Sequence, residues 1–164
     1  MPGAEADAAV ALGGLYLAIH IDRHGRVARV RPQTAPPRAP AAPCGAAGRA
    51  AALIAAWPDD PAAPGALPRA PAPTAFQQRL RAALLELPVG QTVTYGALAR
   101  RLGSSARAVG AGCRANPLPL LVPCHRVVAA GGPGGYAGAR AGPLAAFKAW
   151  LLERERAALE TAPQ

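Results

Sequence analysis

The chain has 164 residues, enough for one domain of ordinary size or two small ones, and it carries a formal net charge of +9. Its three cysteines, Cys44, Cys113 and Cys124, are too few and too scattered for a disulfide framework. The N-terminus lacks the basic-then-apolar order of a signal peptide, and no apolar run approaches the length of a membrane span. These features argue against a disulfide-rich secreted protein and a membrane protein, and they predict a soluble cytoplasmic protein.

Positive charge is concentrated in the second half of the chain. Residues 76–164 contain 11 basic and 4 acidic side chains, whereas residues 1–75 contain 7 and 5. Basic side chains that contact phosphates release the counterions condensed on a nucleic acid, which favours binding. The basic second half of the chain therefore favours a nucleic-acid partner. A generally basic proteome would give the same excess, so the charge alone does not decide the function.

The first half of the chain predicts a few strands and one helix. Residues 1–11 are rich in alanine and are predicted to be frayed. The apolar segments 15–21 and 27–31 flank a turn with Gly25 at a position suited to positive φ, which predicts a β-hairpin. A Pro/Ala-rich loop over 32–43 and a short helix over 48–57 follow.

The Pro-rich segment 58–73 predicts a linker between two small domains. After it, Thr74 is placed to cap a helix whose apolar residues recur with helical spacing, and Pro88 ends that helix. The predicted fold class is therefore α+β. Residues 1–73 are predicted to form a small β-hairpin domain with a helix, and residues 74–164 a mainly α domain that contains Cys124.

Two short helices joined by a Gly-Ser turn predict a helix-turn-helix. The first begins at Tyr95 and ends at Gly103, and Ser104 or Ser105 caps the second, over residues 106–115. The second helix contains several alanines and two glycines, although each glycine costs a helix about 1 kcal/mol relative to alanine. The small residues leave one side of this helix nearly bare, and either a DNA groove or a neighbouring helix is expected to approach that side closely.

The last predicted helix begins near Pro143, a residue favoured in the first turn. Lys148, Leu152 and Glu155 follow at i, i+4 and i+7, which predicts an ion pair and a leucine on one face. Phe147 lies beside them, so this face is expected to turn toward the core, where charges must be paired or functional. The alternative is that the spacing of Lys148 and Glu155 is coincidental and that both charges face solvent on a charged helix.

The segment from Asn116 to Val128 places a thiol, Cys124, directly before an imidazole, His125. Pro123 cannot donate a backbone hydrogen bond, so a strand is expected to break there. A nucleophilic thiol must ionise, and the imidazole is the nearest base, although neighbours on an extended strand point to opposite faces. Proton transfer would need a turn or a bridging water, and a buried structural cysteine beside a surface histidine is the alternative.

This segment, Asn116-Pro…Pro123-Cys-His-Arg-Val-Val128, resembles the active-site signature of the O6-alkylguanine-DNA alkyltransferases. The resemblance covers roughly half of the chain, about residues 76–155. It implies a monomeric DNA repair protein that moves an alkyl group once and irreversibly from O6-alkylguanine in double-stranded DNA to Cys124. It implies no cofactor and no metal at the site.

The resemblance assigns six catalytic positions: Cys124, His125, Glu155, Asn116, Tyr95 and Lys148. The first three correspond to a relay of nucleophile, base and orienting carboxylate, in which the carboxylate fixes the imidazole tautomer and favours its charged form. Asn116 would brace the turn behind the nucleophile, and Tyr95 would donate a hydrogen bond to the departing base. Lys148 would contact the nucleophile's own strand.

The resemblance also assigns seven DNA-binding positions: Ser105, Ala106, Arg107, Ala108, Gly110, Arg114 and Tyr136. The second helix of the pair would enter the minor groove, and Arg107 would fill the gap left by the extruded nucleotide. Tyr136 would form a wall of the base pocket. Arg81 stands where Trp is common in the family, Ala137 stands where Ser is common, and the segment between 136 and 148 is longer than usual. These departures leave the substrate range open.

Three other functions compete with this one. A non-catalytic alkyltransferase-like sensor lacks the nucleophilic cysteine that this chain has, and a helix-turn-helix regulator leaves the buried charged face of the last helix unexplained. A cysteine hydrolase would need a second histidine with a partner.

His20, His24 and Cys44 are possible zinc ligands, but their spacing is irregular and a fourth ligand is missing, so no metal is predicted.

Overall fold

An antiparallel three-stranded sheet forms the N-terminal part of the computed structural model, which describes residues 5–163. Its strands lie in chain order: β1 (Ala8–Leu12), β2 (Leu15–Ile21) and β3 (Val27–Gln33). The predicted hairpin is confirmed as β2 and β3, and Gly25 has the expected positive φ of 75°. Gly13 and Gly14, with φ of 56° and 82°, form the two-residue turn between β1 and β2.

The prediction that residues 1–11 are frayed was wrong for the part that the structure describes. Ala8, Val10 and Leu12 alternate with exposed residues and are buried on the inner face of the sheet. This alternation before a Gly-Gly turn is the sequence signal of a hairpin strand, and the high alanine content concealed it. Residues 1–4 lie outside the described part of the chain.

Helix α1 (Gly45–Ala55) packs on the sheet through the buried residues Ala50 and Ile54, close to the helix predicted over 48–57. The Pro-rich segment after it follows the edge of β3. Val27 N donates to Pro68 O at 2.8 Å, and Ala70 N donates to Val27 O at 2.9 Å. A segment predicted as a linker therefore extends the sheet locally, and the division of the chain at residues 73 and 74 stays a prediction.

The second half contains the remaining elements: α2 (Ala75–Leu85), β4 (Val93–Thr94), α3 (Tyr95–Leu102), α4 (Ala106–Arg114), β5 (Val127–Val128) and α5 (Pro143–Thr161). The predicted cap of α2 is confirmed, since Thr74 Oγ1 accepts a hydrogen bond from Gln77 N at 3.2 Å. Ser105 caps α4, and Gly103 ends α3 with φ of 61°. Strands β4 and β5 pair in parallel and connect the helix-turn-helix to the Cys124 segment.

Helix α5 joins the two halves of the molecule. A Cβ at Gly13 would lie only 2.6 Å from the Trp150 ring and 2.8 Å from Phe147, so the β1–β2 turn sits directly on this helix. Arg154 Nη2 donates to Pro58 O at 3.1 Å in the same region. The α+β prediction is confirmed. Across residues 5–163, the structure has no helix with the length and apolar character needed to cross a membrane.

Candidate active site

Cys124 begins a short 3₁₀ turn that ends at Arg126 and leads into β5. Pro123, with φ of −78° and ψ of 63°, leads into this turn. Residues 119–121 before it also form a turn, so the strand that was expected to break at Pro123 does not precede it. The turn changes the strand geometry that would have sent Cys124 and His125 to opposite faces. Asn116 supports it from behind, because its Nδ2 donates to Val122 O at 3.1 Å.

His125 and Glu155 form a fully buried pair, as the resemblance implied. His125 Nε2 lies 2.8 Å from Glu155 Oε1. Burial raises the pKa of the Glu155 carboxyl, but hydrogen bonds from His125 and Arg126 outweigh it and lower that pKa to about 2. Glu155 is therefore ionised and can only accept, so the imidazole carries its proton on Nε2 and leaves a lone pair on Nδ1.

Nδ1 of His125 has no hydrogen-bond partner among the described residues and is shielded from bulk solvent. Burial lowers the pKa of His125, and the opposing effect of Glu155 is smaller. The expectation that Glu155 favours the charged imidazole is thus outweighed by burial, and the ring is neutral at neutral pH. A neutral buried imidazole with a free Nδ1 is a ready proton acceptor.

Arg126 is a member of the site that the sequence did not reveal. Its Nη2 and Nε lie 2.7 and 2.9 Å from the two Glu155 oxygens, and its Nη1 donates to Leu87 O at 2.7 Å. Gly90 N also donates to Glu155, at 3.0 Å. Arg126 is one of the 11 basic side chains whose excess favoured nucleic-acid binding, but it is buried and neutralises Glu155 instead. The apolar residues that follow it, Val127 and Val128, are the signal in the sequence that this position is buried.

Lys148 is buried but does not pair with Glu155, so the predicted ion pair was wrong. Its Nζ donates to Val127 O at 2.6 Å and to Gly135 O at 3.2 Å, and lies 3.4 Å from Tyr95 Oη. The two charges lie two helical turns apart on one buried face and serve different partners. Lys148 fixes β5 to the glycine-rich loop, directly behind the thiol.

The Cys124 thiol needs a base to ionise. Burial raises the pKa of Cys124, and the Asn116 amide and the Lys148 charge offset part of this effect. Burial likewise raises the pKa of Cys113, on α4, to about 12. Both thiols are protonated at neutral pH, but Cys124 begins the turn that contains His125 and its free imidazole nitrogen, whereas Cys113 lies on α4.

A large open cavity, of about 770 Å³, lies in front of Cys124. Five of the predicted DNA-binding residues line it: Ala106, Arg107, Gly110, Arg114 and Tyr136. Ser105 and Ala108 do not line it, and they instead form the capping hydrogen bond of α4. Tyr95 faces the cavity from the first helix of the pair, so the structure brings the catalytic and the DNA-binding predictions to one opening.

The two glycines of α4 have different roles. A Cβ at Gly112 would collide with Leu80 of α2, whereas a Cβ at Gly110 would meet nothing within 4 Å. Close helix packing therefore explains Gly112, and Gly110 leaves an open surface beside Arg107.

Alanine substitutions test this distinction. We expect Gly112→Ala to lower the free energy of unfolding by about 1–3 kcal/mol, because α2 must move to admit the methyl group. Gly110→Ala should raise it by up to about 1 kcal/mol, because alanine favours a helix and fits the open space. Urea unfolding of both variants measures these changes, and equal destabilisation would contradict the proposed contact with Leu80.

The glycine-rich loop after β5 brings Tyr136 against the thiol. Tyr136 is buried, its ring lies 5.8 Å from the Phe147 ring, and its hydroxyl has no partner among the described residues. Ala137 follows with φ of 50°, a conformation that is strained for an alanine. Its small side chain leaves the junction between the loop and the cavity open.

Known proteins match the second half of the chain, which contains Cys124 and the helix-turn-helix. A family model described as the DNA-binding domain of 6-O-methylguanine DNA methyltransferase matches residues 75–157, half of the sequence. The chain belongs to this family. The start of the match also falls at the beginning of α2, next to the predicted domain boundary.

Among relatives of the family, a methylated-DNA–protein-cysteine methyltransferase from Methanocaldococcus jannaschii is 42% identical over 81 residues, 49% of this chain and 46% of the relative. A DNA base-flipping protein from Thermus thermophilus is 53% identical over 72 residues, 43% of this chain and 46% of the relative. The chain thus spans about half the length of these relatives. The Mycobacterium tuberculosis OGT crystal structure with DNA superposes with a TM-score of 0.65, at 28% identity, covering 92% of each chain.

The methyltransferase-family half does not build the site alone. Trp57, from the segment after α1, is fully buried, and its ring lies edge-on to His125 at 5.9 Å and 5.8 Å from Trp150. The N-terminal half therefore contributes a wall behind the imidazole. Nothing in the sequence around Trp57 pointed to this, because the contact spans 68 positions.

The possible zinc ligands lie apart from this site. His20 is on β2, His24 is in the hairpin turn and accepts from Arg23 Nε at 3.0 Å, and Cys44 is exposed before α1. Over the described range 5–163, no group of three or more His, Cys, Asp or Glu side chains could hold a metal.

Proposed function

We propose that this protein repairs DNA by transferring the alkyl group of O6-alkylguanine to Cys124, once per molecule. The observation that carries the proposal is the buried His125–Glu155 pair with a free Nδ1, placed directly after a thiol at the wall of an arginine-lined cavity. Family membership and relatives named as methylated-DNA–protein-cysteine methyltransferases support it.

The first step is ionisation of the thiol. His125 Nδ1 takes the Cys124 proton through a bridging water, while Nε2 stays bonded to Glu155. The Cys124 lone pair then forms a bond to the alkyl carbon, and the bond from that carbon to guanine O6 breaks. The electron pair goes to the departing guanine, which Tyr95 stabilises by donating a hydrogen bond. The six catalytic assignments remain proposals that this chemistry explains.

The reaction ends with a thioether. This product is stable, and none of the residues around Cys124 can remove the alkyl group, so each molecule acts once. No metal or cofactor takes part in the step as proposed. Asn116 and Lys148 keep the turn and β5 fixed while the thiolate forms.

DNA enters along α4. Its open surface at Gly110 suits close approach to a minor groove, and Arg107 stands at the cavity mouth, where it can replace an extruded nucleotide in the duplex. The Mycobacterium tuberculosis OGT structure named as a complex with DNA supports this partner. We propose that the protein acts as a monomer in the cytoplasm, where a reducing environment suits three free cysteines.

One experiment tests the function directly. After incubation with a duplex that contains O6-methylguanine, we expect one added methyl on the peptide that contains Cys124 and none on those containing Cys44 or Cys113. Excess damaged duplex should give no second methyl. A Cys124→Ala variant is the matched control, and it should bind the lesion without methylation.

Other results would contradict the proposal. An unmodified thiol in a protein that binds the lesion would identify a sensor, and equal binding to intact and damaged duplex would identify a general DNA-binding regulator. Steady-state release of the alkyl group from Cys124 would exclude single-turnover transfer.

A further inference from the structure

A second cavity opens beside Cys124, on the side of the N-terminal sheet. It has a volume of about 340 Å³, and we call it the arginine cleft because its charged lining is Arg29 and Arg31 of β3 with Arg114 of α4. Val30 N donates to Pro117 O at 2.8 Å, which holds β3 against the segment that leads to Cys124. The sheet is thus fixed at the wall of the reacting site.

The three arginines of this cleft are free to bind a ligand. All three are exposed, and within residues 5–163 none forms an ion pair, whereas Arg26 and Arg126 have carboxylate partners. None of the described residues that line the cleft is acidic. A concave space whose charged side chains are all cations has a positive potential and attracts an anionic group.

The arginine cleft and the large cavity meet at the reacting sulfur. They share five residues: Cys113, Arg114, Cys124, Tyr136 and Ala137. In an in-line displacement, the guanine O6 leaves on the side opposite to the sulfur, and any further atoms on the reacting carbon must extend sideways. With the base in the large cavity, as the proposed function requires, these atoms would extend into the cleft, past the small side chain of Ala137.

We propose that the arginine cleft is the site for the distal part of the O6 substituent and that it selects negatively charged substituents, such as carboxymethyl. This inference rests on the proposed function and adds a substrate class to it. The Cys124 lone pair forms the sulfur–carbon bond, and the carbon–O6 bond breaks with its electron pair on the departing guanine, whose anion takes up a proton at N1. The carboxylate is transferred intact with its methylene, so the step needs no further reactant.

The test compares three duplexes with the full-length chain. They carry O6-methylguanine, O6-carboxymethylguanine, or the neutral carbamoylmethyl analogue of the same shape. Each single-turnover rate is divided by the methyl-transfer rate of the same variant. We expect carboxymethyl to exceed carbamoylmethyl by about fivefold, from two partly exposed charge contacts. In the double variant Arg29→Gln/Arg31→Gln this ratio should fall to about one.

A matched variant, Arg23→Gln/Arg49→Gln, removes two exposed charges of the same half that line neither cavity. It should keep the native preference. The inference is overturned if the native ratio is about one, or if both double variants change it equally. Equal slowing on all three duplexes, with a weaker salt dependence, also overturns it and shows that the arginines bind DNA phosphates. A native chain that fails to transfer methyl would instead overturn the proposed function.

Discussion

Replacement of His125 by glutamine is expected to slow methyl transfer to Cys124 by about 10²- to 10⁴-fold at neutral pH. Glutamine can place an amide nitrogen near the position of Nε2 and keep the contact with Glu155, but it has no group that accepts the thiol proton. Because burial raises the pKa of Cys124, the thiol ionises poorly without a base. Single-turnover rates on an O6-methylguanine duplex measure the loss.

The pH dependence of this variant separates a lost base from lost structure. Without the imidazole, the rate should rise about tenfold per pH unit through the alkaline range, because only direct ionisation produces the thiolate. The native rate should reach its plateau at low pH, because burial lowers the pKa of His125. Parallel pH profiles, or loss of lesion binding together with loss of rate, would argue that the substitution disturbs the fold rather than the proton transfer.

Local signals in the sequence were sufficient for most of the helices. Thr74 and Gly103 act within one turn of the chain, so the start of α2 and the end of α3 could be predicted without knowledge of the fold. Pro123 likewise marks the turn at Cys124, because a missing N–H and a fixed φ act at the residue itself. The pairing of His125 with Glu155 was predicted only through the family resemblance.

Contacts between distant segments could not be predicted in this way. Lys148 and Glu155 share a helical face, which suggested an ion pair, but which partner each charge meets depends on how α5 packs against the turn and the glycine-rich loop. Trp57 reaches His125 from a segment whose own composition predicted only a helix end. These contacts arise from tertiary packing, which overrides local propensity.

Burial is the main reason that His125 is neutral beside a carboxylate, and Arg126 adds to this effect. A lone Glu155 would favour protonation of His125, and a protonated imidazole cannot act as the base. The guanidinium neutralises the carboxylate through paired hydrogen bonds, and its positive charge lowers the pKa of His125 further. The arginine thus acts on the base through Glu155, without any contact to the substrate.

Replacement of Glu155 by glutamine is therefore expected to damage both stability and transfer. The change leaves the buried Arg126 charge without its counter-charge, which costs about 3–5 kcal/mol of unfolding free energy. It also releases the tautomer of His125, so the transfer rate should fall even at a temperature where the variant stays folded. Urea unfolding and single-turnover rates measure the two effects separately.

Glu153→Gln is a matched control on the same helix. Glu153 and its partner Arg156 are largely exposed, so this change should shift stability by less than about 1 kcal/mol. Acid unfolding adds a second test. The pKa of Glu155 is about 2 in the folded chain, below its ordinary value of 4.5, so its contribution is present above pH 4.5 and is lost as pH falls toward 2. Glu155→Gln should lack this part of the acid transition, and an unchanged acid profile would show that the His125–Glu155–Arg126 network does not stabilise the fold.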